Sequence, residues 1–221
     1  MNSPRLSDGL KWLLVVGGTL GFIAWLVTPH VSSWSPAPRA IDRSNLSTIG
    51  KSRIIYETEH PNGMPPEALT DVYAYAAELA RSGILMWPQF WLSRIDPSLK
   101  TAAFEDNHYI VNSVSKRINP KFQGAPLAFA VALLPKVSDL PPTTPIAWTR
   151  GLQPDGTWRK DNPYGGKGGD VFFVGGNVQQ YTKTAGPFVK WGTLEPTSNI
   201  LEALPPGTRI GEYVPPAHSP P

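Results

Sequence analysis

The sequence contains no cysteine, and this absence removes several kinds of chemistry at once. Disulfide bonds, thiolate catalysis, and zinc or iron–sulfur sites built on cysteine are all excluded. The acylated cysteine that a bacterial lipoprotein needs is missing as well. The compartment stays open, because cysteine-free chains occur on both sides of membranes.

Charge of either sign is also scarce. Charged residues make up 17% of the chain, below the usual quarter, and the net charge is only +3. The first 39 residues carry +2 of this, from Arg5, Lys11 and Arg39 against Asp8, so the remainder carries +1. A nucleic-acid-binding domain concentrates many basic side chains on one face. We therefore expect no nucleic-acid partner.

A phosphate-binding loop is missing too, although the stretch NPYGGKGGDVFFVGGNVQQYTKT, residues 162–184, is rich in glycine. Such a loop has the pattern G-x-x-x-x-G-K-[S/T] between a strand and a helix. Here Lys167 is followed by Gly168, and a strand-like run comes next. The dinucleotide pattern G-x-G-x-x-G fails because Val171 occupies its last position. We expect these glycines to allow tight turns of the backbone, and we expect no nucleotide partner.

Patterns of metal ligands are sparse. The four histidines occur singly, without a second histidine at helical spacing. Three aspartates, Asp155, Asp161 and Asp170, flank the glycine-rich stretch, and oxygen ligands suit calcium. An EF-hand spacing is absent, so turn formation is favoured over ion binding at these positions. We expect no cofactor, with calcium at the three aspartates as the alternative.

Proline and glycine, in contrast, are abundant. The chain has 25 prolines and 20 glycines, well above average usage, which favours short elements joined by many loops. Hydrophobic residues make up 41% of the chain and include eight tryptophans, which is enough for a packed core.

The longest hydrophobic run, LKWLLVVGGTLGFIAWLVTPH, covers residues 10–30. Residues 12–28 carry no charge, and a helix of that length spans about 26 Å, at the short end of what a bilayer requires. We predict that residues 1–28 form an N-terminal tail and transmembrane helix; a cleaved signal peptide and a buried helix are the alternatives. The predicted membrane-anchor residues are Trp12, Leu13, Leu14, Val15, Val16, Phe22, Ile23, Trp25, Leu26 and Val27.

Proline then interrupts the chain. Pro29, Pro36 and Pro38 predict a stiff linker over residues 29–40. A folded head follows over residues 41–210, and a flexible proline-rich tail over residues 211–221.

Within the head, helices come first and strands later. We predict a helix from Ile41 to before Pro61 and a second helix over residues 67–83. Short apolar runs over residues 126–134 and 145–152 predict strands. The runs DVFFV and NVQQYT are separated by Gly175 and Gly176, a two-residue hairpin signal. Helices followed by a small antiparallel sheet define an α+β head.

The order of these segments resembles that of bacterial prepilin-like proteins, relatives of the type II secretion pseudopilins. NLSTIGKSRIIYETEHPNGMPP, residues 45–66, is similar to their Asn-Leu-x-x-Ile-Gly…Tyr…Asn-Gly…Pro segment. LTDVYAYAAELARSGIL (residues 69–85), PIAWTRGLQPDGTW (145–158) and YGGKGGDVFFVGGNVQQY (164–181) continue the pattern. The similarity covers most of residues 41–210.

The resemblance implies an N-terminal membrane helix, a cytoplasmic N-terminus, a head outside the inner membrane, and no enzymatic activity. It also implies lateral assembly with other pilin-like subunits or with secretion-platform proteins. The usual cleavage motif, Gly followed by Phe-Thr-Leu-x-Glu, is absent: Gly21-Phe22 lies inside the hydrophobic run, and no glutamate follows. We therefore expect an unprocessed relative.

The leading hypothesis is a non-enzymatic, single-pass inner-membrane protein with a periplasmic pilin-like head. It would be a component or accessory of a type II secretion or type IV pilus-like system, with the lipid bilayer and pilin-like subunits as partners. The alternative is a membrane-tethered periplasmic hydrolase or carbohydrate-binding module that uses Trp87, Trp91 and Trp158 as exposed aromatics.

Overall fold

The structure, a computed structural model, describes residues 38–101, 109–182 and 188–215. The first element is the helix α1 (Pro38–Glu59), 22 residues long. One face of the helix is buried. It carries the apolar residues Leu46, Ile49 and Tyr56 and also the charged residues Arg53 and Glu57. The helix begins at Pro38, inside the predicted linker, because proline is well tolerated in the first turn, where its missing N–H would have no helical partner.

The second long helix is α2 (Val72–Arg81), and its two ends follow sequence signals. Asp71 caps the start, since its side chain accepts hydrogen bonds from the backbone N–H groups of Tyr73 and Ala74. Gly83 lies just beyond the end with φ +81°, which suits a glycine stop. A 3₁₀ helix, Pro66–Leu69, precedes α2 and takes up the first part of the predicted helix.

A five-stranded antiparallel sheet forms the other layer. Its strands in chain order are β1 (Phe129–Leu133), β2 (Pro145–Thr149), β3 (Gly169–Phe173), β4 (Val178–Tyr181) and β7 (Arg209–Gly211). Their spatial order is β4-β3-β2-β1-β7, so the last strand returns to pair with the first. β1, β2 and β3 are buried along their full length.

Shorter elements complete the fold. A separate two-stranded sheet pairs β5 (Phe188–Val189) with β6 (Pro196–Thr197). Two short helices, α3 (Pro97–Thr101) and α4 (Pro120–Gln123), and two further 3₁₀ helices, Pro88–Trp91 and Ile200–Ala203, lie in the connections. This division into helices on an antiparallel sheet agrees with the predicted α+β head.

The helix α1 lies against the sheet at very short range. A Cβ atom built on Gly50 would stand 2.1 Å from the Phe172 ring of β3, so only glycine permits this approach. α1 contacts β2, β3 and β4, while α2 covers β1 and β7. The two helices therefore cover one face of the sheet. Because side chains alternate between faces and β1, β2 and β3 are buried at every position, the opposite face is covered as well, in part by Phe188, whose ring centroid lies 6.4 Å from that of Phe173.

The predicted hairpin positions lie in the turn between β3 and β4. The N–H of Gly176 donates to the carbonyl of Phe173 at 2.8 Å, and the N–H of Phe173 donates to the carbonyl of Asn177 at 3.0 Å. Gly176 has φ +85°, a left-handed conformation that glycine adopts at little cost. The backbone N–H of Gly175 also bonds the carbonyl of Pro142, which ties the turn to the loop before β2.

The membrane part of the predictions is contradicted. In the portion of the chain that the structure describes, no helix is both long and apolar enough to cross a bilayer. α1 has the length, but charged residues such as Asp42, Lys51 and Arg53 occur along it. The predicted fold class is therefore wrong in its transmembrane helix, and the predicted single-pass inner-membrane localisation is wrong as well. The predicted anchor residues, from Trp12 to Val27, lie outside the described residues.

Candidate functional site

The polar residues of greatest interest lie between α1 and the elements that pack against it, and we call this group the α1 seam. Its members are Asp42, Arg53, Glu57, Ser93, Tyr164 and Asp170. At its C-terminal end, Arg53 is buried and pairs with Glu57 one turn later, Nη2 to Oε1 2.6 Å. The same Nη2 donates to the carbonyl oxygens of Leu134 and Pro135, at 3.0 and 2.9 Å. The guanidinium therefore satisfies the backbone that leaves β1.

Glu57 completes this arrangement from the other side. One carboxylate oxygen accepts the backbone N–H of Val137 at 2.5 Å, and the other accepts that of Ser138 at 2.8 Å. A buried carboxylate held by a guanidinium and two backbone donors is well compensated. Together Arg53 and Glu57 fasten the second half of α1 to the loop after β1.

The N-terminal part of the α1 seam is built around Asp42. Its Oδ2 accepts a hydrogen bond from the Ser93 hydroxyl at 2.6 Å and from the Tyr164 hydroxyl at 3.1 Å. Burial raises the pKa of Asp42, and the two hydroxyl donors offset only part of this effect. Burial likewise raises the pKa of the Tyr164 hydroxyl, which the nearby Asp42 carboxylate raises further.

Asp170, at the start of β3, lies next to this cluster. Its Oδ1 accepts from Arg43 Nε at 3.1 Å, and Arg43 also reaches the side chain of Gln180 on β4 at 2.5 Å. Burial raises the pKa of Asp170, against which the Arg43 charge acts. Its Oδ2 is buried without a hydrogen-bond partner among the described residues.

Asn162 organises the glycine-rich loop. Its side-chain nitrogen donates to the carbonyl of Gly168 at 2.9 Å, and its oxygen accepts the backbone N–H groups of Tyr164 and Gly166 at 3.0 and 2.8 Å. Gly168 has φ +99°, and a Cβ there would stand 1.7 Å from the carbonyl oxygen of Thr182. The loop thus encloses its own amide side chain and positions the Tyr164 hydroxyl against Asp42.

A second buried ion pair joins Arg150, just after β2, to Asp96. The two guanidinium Nη atoms donate to both carboxylate oxygens of Asp96, and both side chains are fully buried. Arg150 also donates to the carbonyls of Leu127 and Asp161 at 3.0 and 2.9 Å. This pair fixes the segment before α3 against the sheet.

The three aspartates that could have held calcium do not come together. Asp155 is exposed and accepts from the backbone and the hydroxyl of Thr157, at 2.9 and 2.6 Å, in a local turn. Asp161 bonds Arg159 at 3.0 Å, whereas Asp170 bonds Arg43. Among the residues with described positions, no group of three His, Asp or Glu side chains could hold a metal ion.

The three tryptophans of the alternative hypothesis have different environments. Trp91 is fully buried and meets Tyr75 edge-on, with ring centroids 6.2 Å apart. Trp158 is 6% exposed, and its ring packs so closely on Gly169 that a Cβ there would be 2.4 Å away. Trp87 alone of the three is substantially exposed, at 39%. A surface using all three rings is therefore not formed.

The α1 seam contains the residue types of an active site but keeps them from solvent. Ser93 is fully buried, Asp42 is 3% exposed, and Tyr164 is buried beside them. A general base must come within hydrogen-bond reach of a substrate proton. Here the hydroxyl partners of Asp42 belong to the protein itself, so the cluster positions the helix and the glycine-rich loop.

Asp42, Arg53 and Glu57 were not predicted from the sequence as site residues, and Asp170 was considered only as a calcium ligand. One signal was present: Arg53 lies on the same helical stripe as the apolar Leu46, Ile49 and Tyr56, and Glu57 follows it by four residues. A charged pair at this spacing on a core-facing stripe indicates a buried ion pair.

Comparison of the chain with protein-family models, with curated proteins and with solved structures finds no match.

Proposed function

We propose that this chain is a non-enzymatic, pilin-like subunit that assembles with other pilin-like proteins or with a secretion-platform protein. The assembly is of the type II secretion or type IV pilus class. The subunit acts through its surface and requires no cofactor.

The observation that carries the proposal is the contrast between the two faces of α1: the inner face is bonded to the rest of the fold, and the outer face is exposed. The inner face is fixed to the sheet by Arg53 and Glu57 at one end and by Asp42 at the other. The outer face stays open to solvent and includes Ile55, which is 48% exposed. A helix that is rigidly held on one side offers a preorganised surface on the other, and preorganisation lowers the entropic cost of binding.

The residue chemistry of the buried clusters agrees with this role. Their charged side chains make hydrogen bonds or ion pairs that hold elements together; these side chains are Asp42, Arg53, Glu57 and Asp170. Helices followed by a small antiparallel sheet are also the arrangement that the prepilin-like resemblance implies for the head.

The test is co-purification of the full-length chain with the pilin-like subunits and the platform protein of its own host, expressed together. We expect a complex, and we expect Ile55→Lys to weaken it by about tenfold, equivalent to about 1.4 kcal/mol. A buried lysine charge at the contact would remain unpaired, whereas the folded head would be unchanged.

The matched control is Leu194→Lys, which makes the same type of change at a residue that is 94% exposed in the segment between β5 and β6. It should leave the complex intact. Failure of every pilin-like and platform protein to co-purify would contradict the proposal, and so would equal loss of binding in both variants.

A further inference from the structure

An open groove of about 510 Å³ lies along the segment between residues 109 and 120, apart from the residues of the α1 seam. We call it the 109–120 groove. The residues of its wall that matter here are Tyr109, Asn112, Ser113, Ser115, Arg117 and Asn119. Its volume is within the range of about 300–1,000 Å³ that small-molecule sites occupy.

The backbone of this groove is held firmly. The N–H of Asn112 donates to the carbonyl of Arg117 at 2.9 Å, and the N–H of Asn119 donates to that of Ile110 at 2.9 Å. The N–H of Ile110 donates to the carbonyl of Met86 at 3.0 Å, which joins the segment to the chain after α2. The groove is therefore formed before any ligand arrives.

Its side-chain donors are oriented as well. The side-chain oxygen of Asn112 accepts the backbone N–H groups of Val114 and Ser115, both at 2.9 Å. This leaves the amide nitrogen of Asn112 without a partner among the described residues, so it is available as a donor. Ser113 and Ser115 line the same groove, and the Ser115 hydroxyl oxygen accepts the backbone N–H of Arg117 at 3.5 Å while keeping its own proton to donate. Such a wall favours a ligand that is rich in oxygen.

Two exposed aromatic rings extend one side of the groove. Trp87 and Tyr109 are 39% and 44% exposed, and their ring centroids are 4.6 Å apart with an interplanar angle of 37°. The amide nitrogen of Asn119 donates to the carbonyl of Tyr109 at 3.4 Å, which helps to place that residue. Aromatic side chains that stay partly exposed in this way suit the C–H face of a sugar ring, since they combine an apolar surface with a polar edge.

The charge of the groove narrows the ligand class further. Among the residues that the structure describes, its lining includes the exposed Arg117 and no carboxylate. Within the described residues, the Arg117 guanidinium has no hydrogen-bond or ion-pair partner. A guanidinium pairs best with a carboxylate, which it can bind through two parallel hydrogen bonds.

We propose that the 109–120 groove binds a carboxylate-bearing saccharide, such as a chain of uronic acid units. Trp87 and Tyr109 pack against the sugar ring, Asn112 and the two serine hydroxyls bond its hydroxyl groups, and Arg117 pairs with its carboxylate. This site is independent of the α1 seam and of the proposed assembly function.

The test is isothermal titration calorimetry on the full-length protein with two matched ligands, a short oligomer of galacturonic acid and the same oligomer with its carboxylates methyl-esterified. We expect the acid form to bind at least about tenfold more tightly than the ester, because only the acid form pairs with the guanidinium. Arg117→Gln should abolish this difference, and Trp87→Ala should weaken the binding of both forms.

Two control variants make similar changes elsewhere. Arg94→Gln removes an exposed arginine that lies outside the groove lining, and Trp191→Ala removes a half-buried tryptophan that follows β5. Both should bind the acid oligomer as the unmodified chain does, and far-ultraviolet circular dichroism should show that all four variants are folded.

Three outcomes would overturn the assignment. The first is no binding of the acid oligomer at millimolar concentration. The second is equal affinity for the acid and ester forms, or affinity that Arg117→Gln and Trp87→Ala leave unchanged. The third is binding of an acidic or proline-rich peptide with the same residue dependence while the saccharide does not bind, which would assign the groove to peptides.

Discussion

At the scale of single residues, the interior of this protein is notable for its charges. Arg53, Glu57, Asp96 and Arg150 are all buried, and each has a partner of opposite charge and further hydrogen bonds to the backbone. Asp42 is different, because its partners are two neutral hydroxyl groups. Among these buried groups, ionisation of the Asp42 carboxylate should therefore lower the free energy of unfolding the most.

The first prediction concerns Asp42→Asn. Burial raises the pKa of Asp42 in the folded chain above its ordinary value of 3.8, so the folded state binds more protons than the unfolded state once the pH exceeds that value. The contribution of Asp42 to the free energy of unfolding therefore falls as pH rises from the ordinary pKa to the raised one. Asparagine keeps an oxygen for the two hydroxyl donors but does not ionise. We expect the variant to gain stability relative to the unmodified chain as pH rises above about 4, by about 1.4 kcal/mol per unit by which burial raises the pKa.

Urea unfolding at a series of pH values, followed by tryptophan fluorescence, measures this difference. Asp155→Asn is the control with the opposite sign, because hydrogen bonds from Thr157 lower the pKa of the exposed Asp155 carboxylate. That variant should lose stability relative to the unmodified chain as pH rises. Parallel stability curves for the unmodified chain and Asp42→Asn would contradict the interpretation.

At the scale of elements, the contact between α1 and β3 depends on one glycine. Glycine inside a helix normally costs about 1 kcal/mol relative to alanine. At position 50 this cost is outweighed, because the missing Cβ allows the Phe172 ring to lie against the helix backbone. The helix gives up intrinsic stability and gains a closer contact with the sheet.

The second prediction is therefore that Gly50→Ala destabilises the protein, although alanine is the better helix former. The new Cβ would lie 2.1 Å from a Phe172 ring carbon, and relieving such a clash in a packed core costs about 1–3 kcal/mol. Thr58→Ala, at an exposed position of the same helix, should not destabilise the chain by this mechanism. Thermal unfolding compares the two variants, and a higher melting temperature for Gly50→Ala would refute the close-contact account.

The sequence predicted these elements to different extents, depending on how local their signals are. The stop of α2 at Gly83 and the reversal of the chain at Gly175 and Gly176 depend on local backbone conformation, and both form. The reversal is longer than the predicted two-residue turn, because β3 ends at Phe173 and β4 begins at Val178, and of the two glycines only Gly176 has a positive φ. α1 begins at Pro38, about three residues before the predicted start at Ile41, and proline is suited to a first helical turn.

Contacts between residues that are far apart in the chain could not be predicted from the sequence patterns. The pairing of β7 with β1 joins residues about 80 positions apart, such as Val131 and Gly211, and nothing in either strand specifies the other. The Asp96–Arg150 pair is separated by 54 residues in the chain. The candidate site was missed for the same reason, since Asp42, Ser93 and Tyr164 become neighbours only after folding.

At the scale of the whole molecule, the buried polar groups link the two layers into one unit. Arg53 and Glu57 join α1 to the loop after β1, and Asp42 joins it to the glycine-rich loop through Tyr164. The proposed assembly function depends on this linkage, because a partner that binds the outer face of α1 needs the inner face to be fixed. We therefore expect α1 and the central strands to open together and not one before the other.

Native-state amide hydrogen exchange on the full-length chain tests this claim most directly, because it measures the free energy of opening at individual backbone N–H groups. We predict that the amides of α1 over residues 46–57 open with the same free energy as those of β1, β2 and β3, to within about 1 kcal/mol. Exchange of α1 at a free energy more than about 2 kcal/mol below that of the strands would show that the helix detaches by itself, and would contradict the account.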